Sequence, residues 1–295
     1  IICLTILCGC GKNVSTMYYS DAENTDASEL TQSSDDNNNM DTTSFNTENE
    51  TEAVTEPFTV DIFASVNREL PSSFVLDGFE TVMQEPELPT GCEVTALAEV
   101  LNYLGFGIDK VELCDEFLPV DYAGAYTMNQ AYIGDPKANN GFGCNAPVIV
   151  GVAQDYFEYV DSPCYAIDIT GTDLRDLFYQ IVDGRPVVVW STMGLVETYE
   201  NFKFISGNGE EMWFNDYHHC MAIYGYDLNA GVVYAADPLV GNTTYTIEHF
   251  ERIYDIMKKQ AVVICGDSST EGNYIDRAEL VNDDVISRRD QLNED

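Results

Sequence analysis

Positive charge is the scarcest resource in this chain. Its 295 residues hold 13 Lys and Arg against 51 Asp and Glu, a formal net charge of -38. A surface of that sign repels phosphate backbones and anionic lipid head groups, which excludes nucleic acid as a partner. No apolar run reaches the ~18–20 residues that a membrane-spanning helix requires. The nine cysteines are odd in number and include no C-x-x-C pair. That argues against a zinc ribbon, a thioredoxin-type site and a dense disulfide scaffold. There are three histidines, His218, His219 and His249. The first two are neighbours on an expected strand and point to opposite faces, so they do not share a metal. Neither a metal nor a cofactor is expected.

What is present falls into segments. Residues 1–10, "IICLTILCGC", form a short apolar run without Met or basic residues. It resembles the end of a bacterial lipoprotein signal, with Cys10 as the lipidated residue. Intact mass of membrane-extracted protein decides this, because an unmodified Cys10 ends the anchor idea. Residues 11–57 are rich in Ser, Thr, Asn, Asp and Glu, too polar to offset their ordering entropy, and read as an acidic, self-repelling tether. A folded domain is expected over 58–265, and a polar tail over 266–295. The placement implied is the outer face of a bacterial membrane, either anchored there or secreted.

Within the domain, helical spacing appears in "TGCEVTALAEVLNYL", in "PVIVGVAQDYFEYV" with Pro147 in its first turn, and in "TDLRDLFYQIV", which Gly184 ends. Strands then dominate: "RPVVVW", "HHCMAIYGYD", "GVVYAADP" and "QAVVIC", with one more helix at "TIEHFERIYDIM". Helices first and antiparallel strands afterwards predict an α+β fold.

Cys92 stands out because it opens the first helix. Thr90 and Glu93 have T-x-x-E spacing, which predicts a capping box with Thr90 as N-cap. Free N–H groups and the positive end of the helix dipole there favour a thiolate. A plain buried cysteine would fit as well, so a partner must decide. His219 supplies one. The strand that carries it turns through "DLNAG" and returns as "VVYAADP", which places His219 across from about Asp237 to Leu239. A carboxylate beside an imidazole fixes its tautomer, so Cys92, His219 and Asp237 have the makings of a nucleophile, base and orienter. Oxyanion donors are available from the Cys92 N–H and the Gln84 side-chain amide.

In order along the chain, "QEPELPTGCEVTALAEVLNYLG", "GDPKANNGFGCNAP", "GRPVVVWST" and "HCMAIYGYD…VVYAADP" resemble stand-alone members of the bacteriocin-processing, double-glycine type peptidase family, among the papain-like cysteine peptidases. The resemblance implies a papain-like fold with the nucleophile helix on an antiparallel sheet. It also implies a thiol hydrolase acting on a peptide or protein through an acyl-enzyme. It carries over Gln84 as oxyanion donor, Cys92 as nucleophile, His219 as base and Asp237 as orienter. Gly-Cys-Glu stands here in place of the exporters' Asp-Cys-Gly, which points to a different substrate groove. Cys144 and Trp190 fall in matching segments and read as packing. Two other readings fit the sequence: an inactive papain-like surface binding module, and a cell-wall peptide hydrolase.

Overall fold

A computed structural model describes residues 68–266, apart from 201 and 208. The expected signal remnant with Cys10, the acidic tether and all of the tail beyond Gly266 lie outside the described residues. The elements in chain order are β1 (Ser73–Val75), α1 (Cys92–Tyr103), α2 (Lys110–Phe117), β2 (Val120–Asp121), β3 (Tyr132–Ile133), α3 (Ala146–Tyr159), β4 (Tyr165–Asp168) and α4 (Leu174–Val182). After them come β5 (Val187–Thr192), β6 (Phe202–Ile205), β7 (Glu211–Phe214), β8 (His218–Asp227), β9 (Val232–Asp237), β10 (Gly241–Thr246), α5 (Ile247–Ile256) and β11 (Ala261–Cys265). This is the expected α+β architecture.

The centre is an antiparallel sheet in the order β10-β9-β8-β5-β11-β4, with β1 paired to the far end of β8. Its middle strands are long apolar runs. Val187 to Val189, Met221 to Ile223 and Ala261 to Val263 are fully buried, as strands covered on both faces must be. The β8–β9 turn is held by the Asp227 carboxylate, which accepts from the Asn229 and Ala230 N–H groups, an Asx turn written into the sequence. Ala222 faces Ala236 and Ile223 faces Ala235, with an irregularity before Gly225. His219 and Asp237 are thereby brought to one end of the sheet.

Helix α1 lies against β8, β5 and β9. Every residue from Cys92 to Leu101 is buried, so the helix is a core element rather than an amphipathic surface one. Helix α2 opens on an Asp109 cap that accepts from Val111 N–H at 2.8 Å, and α5 opens on Thr246. Among the described residues no helix is long and apolar enough to cross a membrane.

The stretch before Gln84 forms a strand only over the three residues of β1. Residues 79–91 are instead a loop pinned from several sides. Val82 N–H donates to Glu99 of α1 at 3.0 Å, and Gln84 N–H donates to the Pro238 carbonyl at 2.9 Å. The buried Lys110 ammonium of α2 reaches the carbonyls of Met83 and Gln84 and the Glu87 carboxylate. These tethers fix Gln84 between the start of α1 and the end of β9.

Candidate active site

The start of α1 differs from the expected capping box. Gly91, not Thr90, is the N-cap, and no side chain caps the helix. The Thr90 hydroxyl is committed elsewhere, donating to the Ala138 carbonyl at 2.9 Å, and the Tyr132 hydroxyl donates to the Thr90 carbonyl at 2.6 Å. A Cβ on Gly91 would meet Leu88 Cβ at 3.0 Å, so the chain can turn this tightly into the helix because glycine is there. Cys92 is consequently the first helical residue, and its N–H has no acceptor inside the helix.

The other half of the expected box, Glu93, turns into the protein. It is fully buried. Its Oε1 accepts from Cys144 N–H at 2.9 Å and sits 3.4 Å from His218 Nδ1; its Oε2 takes the hydrogen bond of the Cys92 thiol at 3.3 Å. Gly143 makes room for this carboxylate: with φ at +111°, an added Cβ would meet Glu93 Oε1 at 2.4 Å. Cys144 and Trp190 do pack, as expected. The indole N–H donates to the Cys144 carbonyl at 2.9 Å and so holds in place the residue whose N–H binds Glu93.

On β8 the two histidines diverge as alternation requires. His218 faces Glu93 and stacks on Phe214, with ring centroids 5.7 Å apart. His219 is 1% exposed, and its Nε2 lies 2.8 Å from Asp237 Oδ1. That contact leaves Nδ1 as the nitrogen for proton exchange. Asp237 also accepts from Leu239 N–H and from the Tyr245 hydroxyl, each at 2.9 Å. The main chain of the next residue along β8, Cys220, acts on the Cys92 thiol and favours its ionised form. The start of α1 and the His219–Cys220 stretch are thus neighbours through the packing of α1 on β8, although 127 positions separate Cys92 from His219 in the sequence.

Gln84 is buried, and its side-chain N–H donates to the Pro89 carbonyl at 2.8 Å. Its Oε1 is buried without a partner. A carboxamide carries two N–H donors, and Pro89 occupies one of them. His249 lies on α5 and, among the described residues, makes no hydrogen bond or ion pair to any member of this cluster.

The electrostatics depart from the expectation of a helix-stabilised thiolate. Burial pushes the Cys92 thiol well above its ordinary range, and the Glu93 charge and hydrogen bond add to that, outweighing the Cys220 main chain. The thiol is neutral in this structure because a desolvated anion beside a carboxylate costs more than a helix terminus returns. Burial also raises Glu93, to about 7, against hydrogen bonds from Cys144 and its own backbone. Asp237 goes the other way. Burial would raise it, but His219, Leu239 and Tyr245 together hold it below its usual value. The same burial lowers His218 to about 3, so that ring is neutral.

All four residues singled out by the sequence thus fall in one region, where α1, the 79–91 loop and the ends of β8 and β9 meet. The sequence reading missed Glu93, His218, Tyr245 and Lys110. Glu93 had a visible signal, as a carboxylate beside the cysteine where the resembling exporters have glycine. Tyr245 had none, being one residue of a polar edge strand.

Comparisons with known proteins agree with this geometry. Residues 76–262 match the profile of the Peptidase_C39 like family, a span that holds Gln84, Cys92, His219 and Asp237. The uncharacterized protein YvpB of Bacillus subtilis (strain 168) is 31% identical over 189 residues, covering 62% of this chain and 72% of that protein. Among solved structures, a C39-like peptidase of Bacillus anthracis superposes with a TM-score of 0.59 at 28% identity, over 66% of this chain and 98% of that one. A profile that runs from just before the Gln84 loop to the last strand of the sheet covers the whole scaffold of the site, and the chain belongs to the Peptidase_C39 like family.

Proposed function

We propose that this protein is a cysteine peptidase that hydrolyses a peptide or amide bond. Cys92 attacks the carbonyl carbon as its S–H proton passes to His219. His219 then gives that proton to the leaving amine, and water hydrolyses the thioester of the acyl-enzyme. Asp237 holds the imidazole in one tautomer and stabilises its cationic form. The Cys92 N–H and the Gln84 amide receive the developing oxyanion. The observation that carries this reading is the buried His219–Asp237 pair, 2.8 Å apart, on the strand against which the helix headed by Cys92 packs.

The test is labelling with a thiol-directed electrophile, followed by peptide mapping. Cys92→Ala should abolish both labelling and peptide cleavage while circular dichroism stays unchanged. Labelling that persists at Cys144 or Cys220 overturns the assignment.

The apolar run that ends Leu7-Cys8-Gly9-Cys10 supports a lipid anchor at Cys10. We place the domain outside a bacterial membrane, anchored or secreted, acting on a peptide or protein there; the alternative in that setting is a cell-wall peptide hydrolase. Cleavage of purified peptidoglycan fragments against cleavage of protein substrates separates these two classes.

One observation favours a second reading, that of a binding module without turnover: Cys92 is 5% exposed and its thiol is held neutral. A broad peptide library that yields no Cys92-dependent cleavage would establish it.

A further inference from the structure

The peptidase chemistry above has no use for Glu93. A buried carboxylate beside the nucleophile opposes the thiolate and carries a desolvation cost of its own. Yet the surroundings are shaped to keep it. Gly143 leaves space that any side chain would fill, Cys144 N–H donates to Oε1, His218 Nδ1 faces the same oxygen, and the thiol bonds to Oε2. The other nitrogen of His218 is buried without a partner, so the polar contact of that ring is directed to Glu93.

We propose that Glu93 is a proton-operated latch on Cys92. Ionised, it accepts the hydrogen bond of the thiol and keeps the sulfur protonated and unreactive; protonated, it donates to the sulfur and lets the thiol proton pass to His219. This rests on the peptidase reading, because it assigns His219 as the acceptor. The balance is simple. One proton from solvent forms the Glu93 O–H bond. The S–H bond breaks, its proton forms an N–H bond at His219, and the electron pair stays on sulfur. The thiolate then faces a donor on each side instead of a like charge.

The groups around Glu93 are consistent with one switching element. Facing it are Cys92 on its own helix, Cys144 from the loop before α3, Tyr132 of β3, and His218, His219 and Cys220 of β8; Asp237 of β9 acts on Cys92. Burial keeps Cys144, Cys220 and Tyr132 protonated, and keeps His218 neutral down to about 3. Asp237 stays ionised. Glu93, raised by burial to about 7, changes charge near neutrality.

The latch inverts the usual pH dependence of a thiol. An ordinary cysteine below its pKa gains about tenfold in alkylation rate per pH unit, since the thiolate reacts. Here the rate of Cys92 labelling by iodoacetamide in the full chain should rise by roughly tenfold as pH falls from 8 to 6, following protonation of a group near 7. Glu93→Gln retains an acceptor for Cys144 and presents an N–H to sulfur, so its rate should be flat over that range at the fast level. His218→Phe keeps the stacking on Phe214 but removes the donor that faces the carboxylate, and should move the midpoint to higher pH. A wild-type rate that climbs steadily with pH, or a Glu93→Gln profile equal to wild type, overturns the latch. Should Glu93→Gln fail to fold, an unmoved midpoint in His218→Phe overturns it as well. His219→Ala separates this from the peptidase reading. Labelling indifferent to His219→Ala, with no cleavage by the wild type, sinks the peptidase; labelling that needs His219 but ignores Glu93→Gln sinks the latch alone.

Discussion

Two buried carboxylates flank the candidate nucleophile and its histidine, and their surroundings drive them in opposite directions. Asp237 lies at the end of β9, where an imidazole, a backbone N–H and a phenol all point at it. Three donors outweigh the desolvation, and it stays ionised below its ordinary value. Glu93 lies one residue into α1, with the Cys144 N–H and the weaker approach of His218 facing it and a thiol against its other oxygen. There desolvation wins and its pKa climbs to about 7. Similar side chains thus acquire different roles from their depth of burial and from the strength of the donors around them, an imidazole and a phenol at Asp237 against a thiol and main-chain N–H groups at Glu93: one is a fixed charge that orients a base, the other a charge that comes and goes.

Removing the fixed charge should have the largest effect. Asp237→Asn keeps the shape and an acceptor for Tyr245, but its amide N–H turned toward His219 favours the wrong tautomer and takes the place of the oxygen that accepts from Leu239 N–H. A loss of roughly 10³–10⁴ in kcat is expected, about 4–5 kcal/mol of barrier, with an unchanged circular dichroism spectrum. A loss under about tenfold would mean that Asp237 does not orient the base.

The second effect is on stability, and the two carboxylates should give it opposite signs. Asp237 has a depressed folded value, so its contribution is present above the unfolded value and lost as pH falls through the folded one. Glu93 has a raised folded value, so folding is favoured below about 4.5, and that advantage is lost as pH rises through about 7. The gap between 4.5 and about 7 corresponds to roughly 3 kcal/mol. Urea unfolding of wild type and Glu93→Gln at pH 4.5 and pH 8 measures it. The variant should gain on wild type by that order between the two pH values. An equal response of both proteins would show that Glu93 is solvated in the folded state.

The contrast between the carboxylates was half legible in the sequence. His219 and Asp237 could be paired because a hairpin of known turn fixes its own register, and the Asp227 turn closes as the residues "DLNAG" imply. The cysteine helix was legible as well, since apolar spacing and a preceding glycine are local signals. Glu93 was misread because T-x-x-E spacing has a local meaning, the capping box, that tertiary structure overrode. The 135–138 loop took the Thr90 hydroxyl and Cys144 took the carboxylate. Strand β10 was missed for a related reason: "GNTTYT" alternates partly buried with exposed residues and carries no apolar run. Nothing local showed that its tyrosine would reach Asp237.

That tyrosine offers the smallest and most selective test of the comparison. Tyr245→Phe removes one of three donors to Asp237 and leaves the His219 and Leu239 contacts in place. The ring still packs on Phe250, so the loss is that of one hydrogen bond to a charged group, about 1–2 kcal/mol. If the strength of these donors is what separates the two carboxylates, Asp237 should shift toward the ordinary carboxylate range without reaching the behaviour of Glu93. The acidic limb of the pH–rate profile should then move to higher pH, with a fall of less than about tenfold in kcat at pH 7. A limb that stays in place would mean that His219 and Leu239 suffice to hold the charge, and the difference between Asp237 and Glu93 would then rest on the imidazole rather than on the phenol.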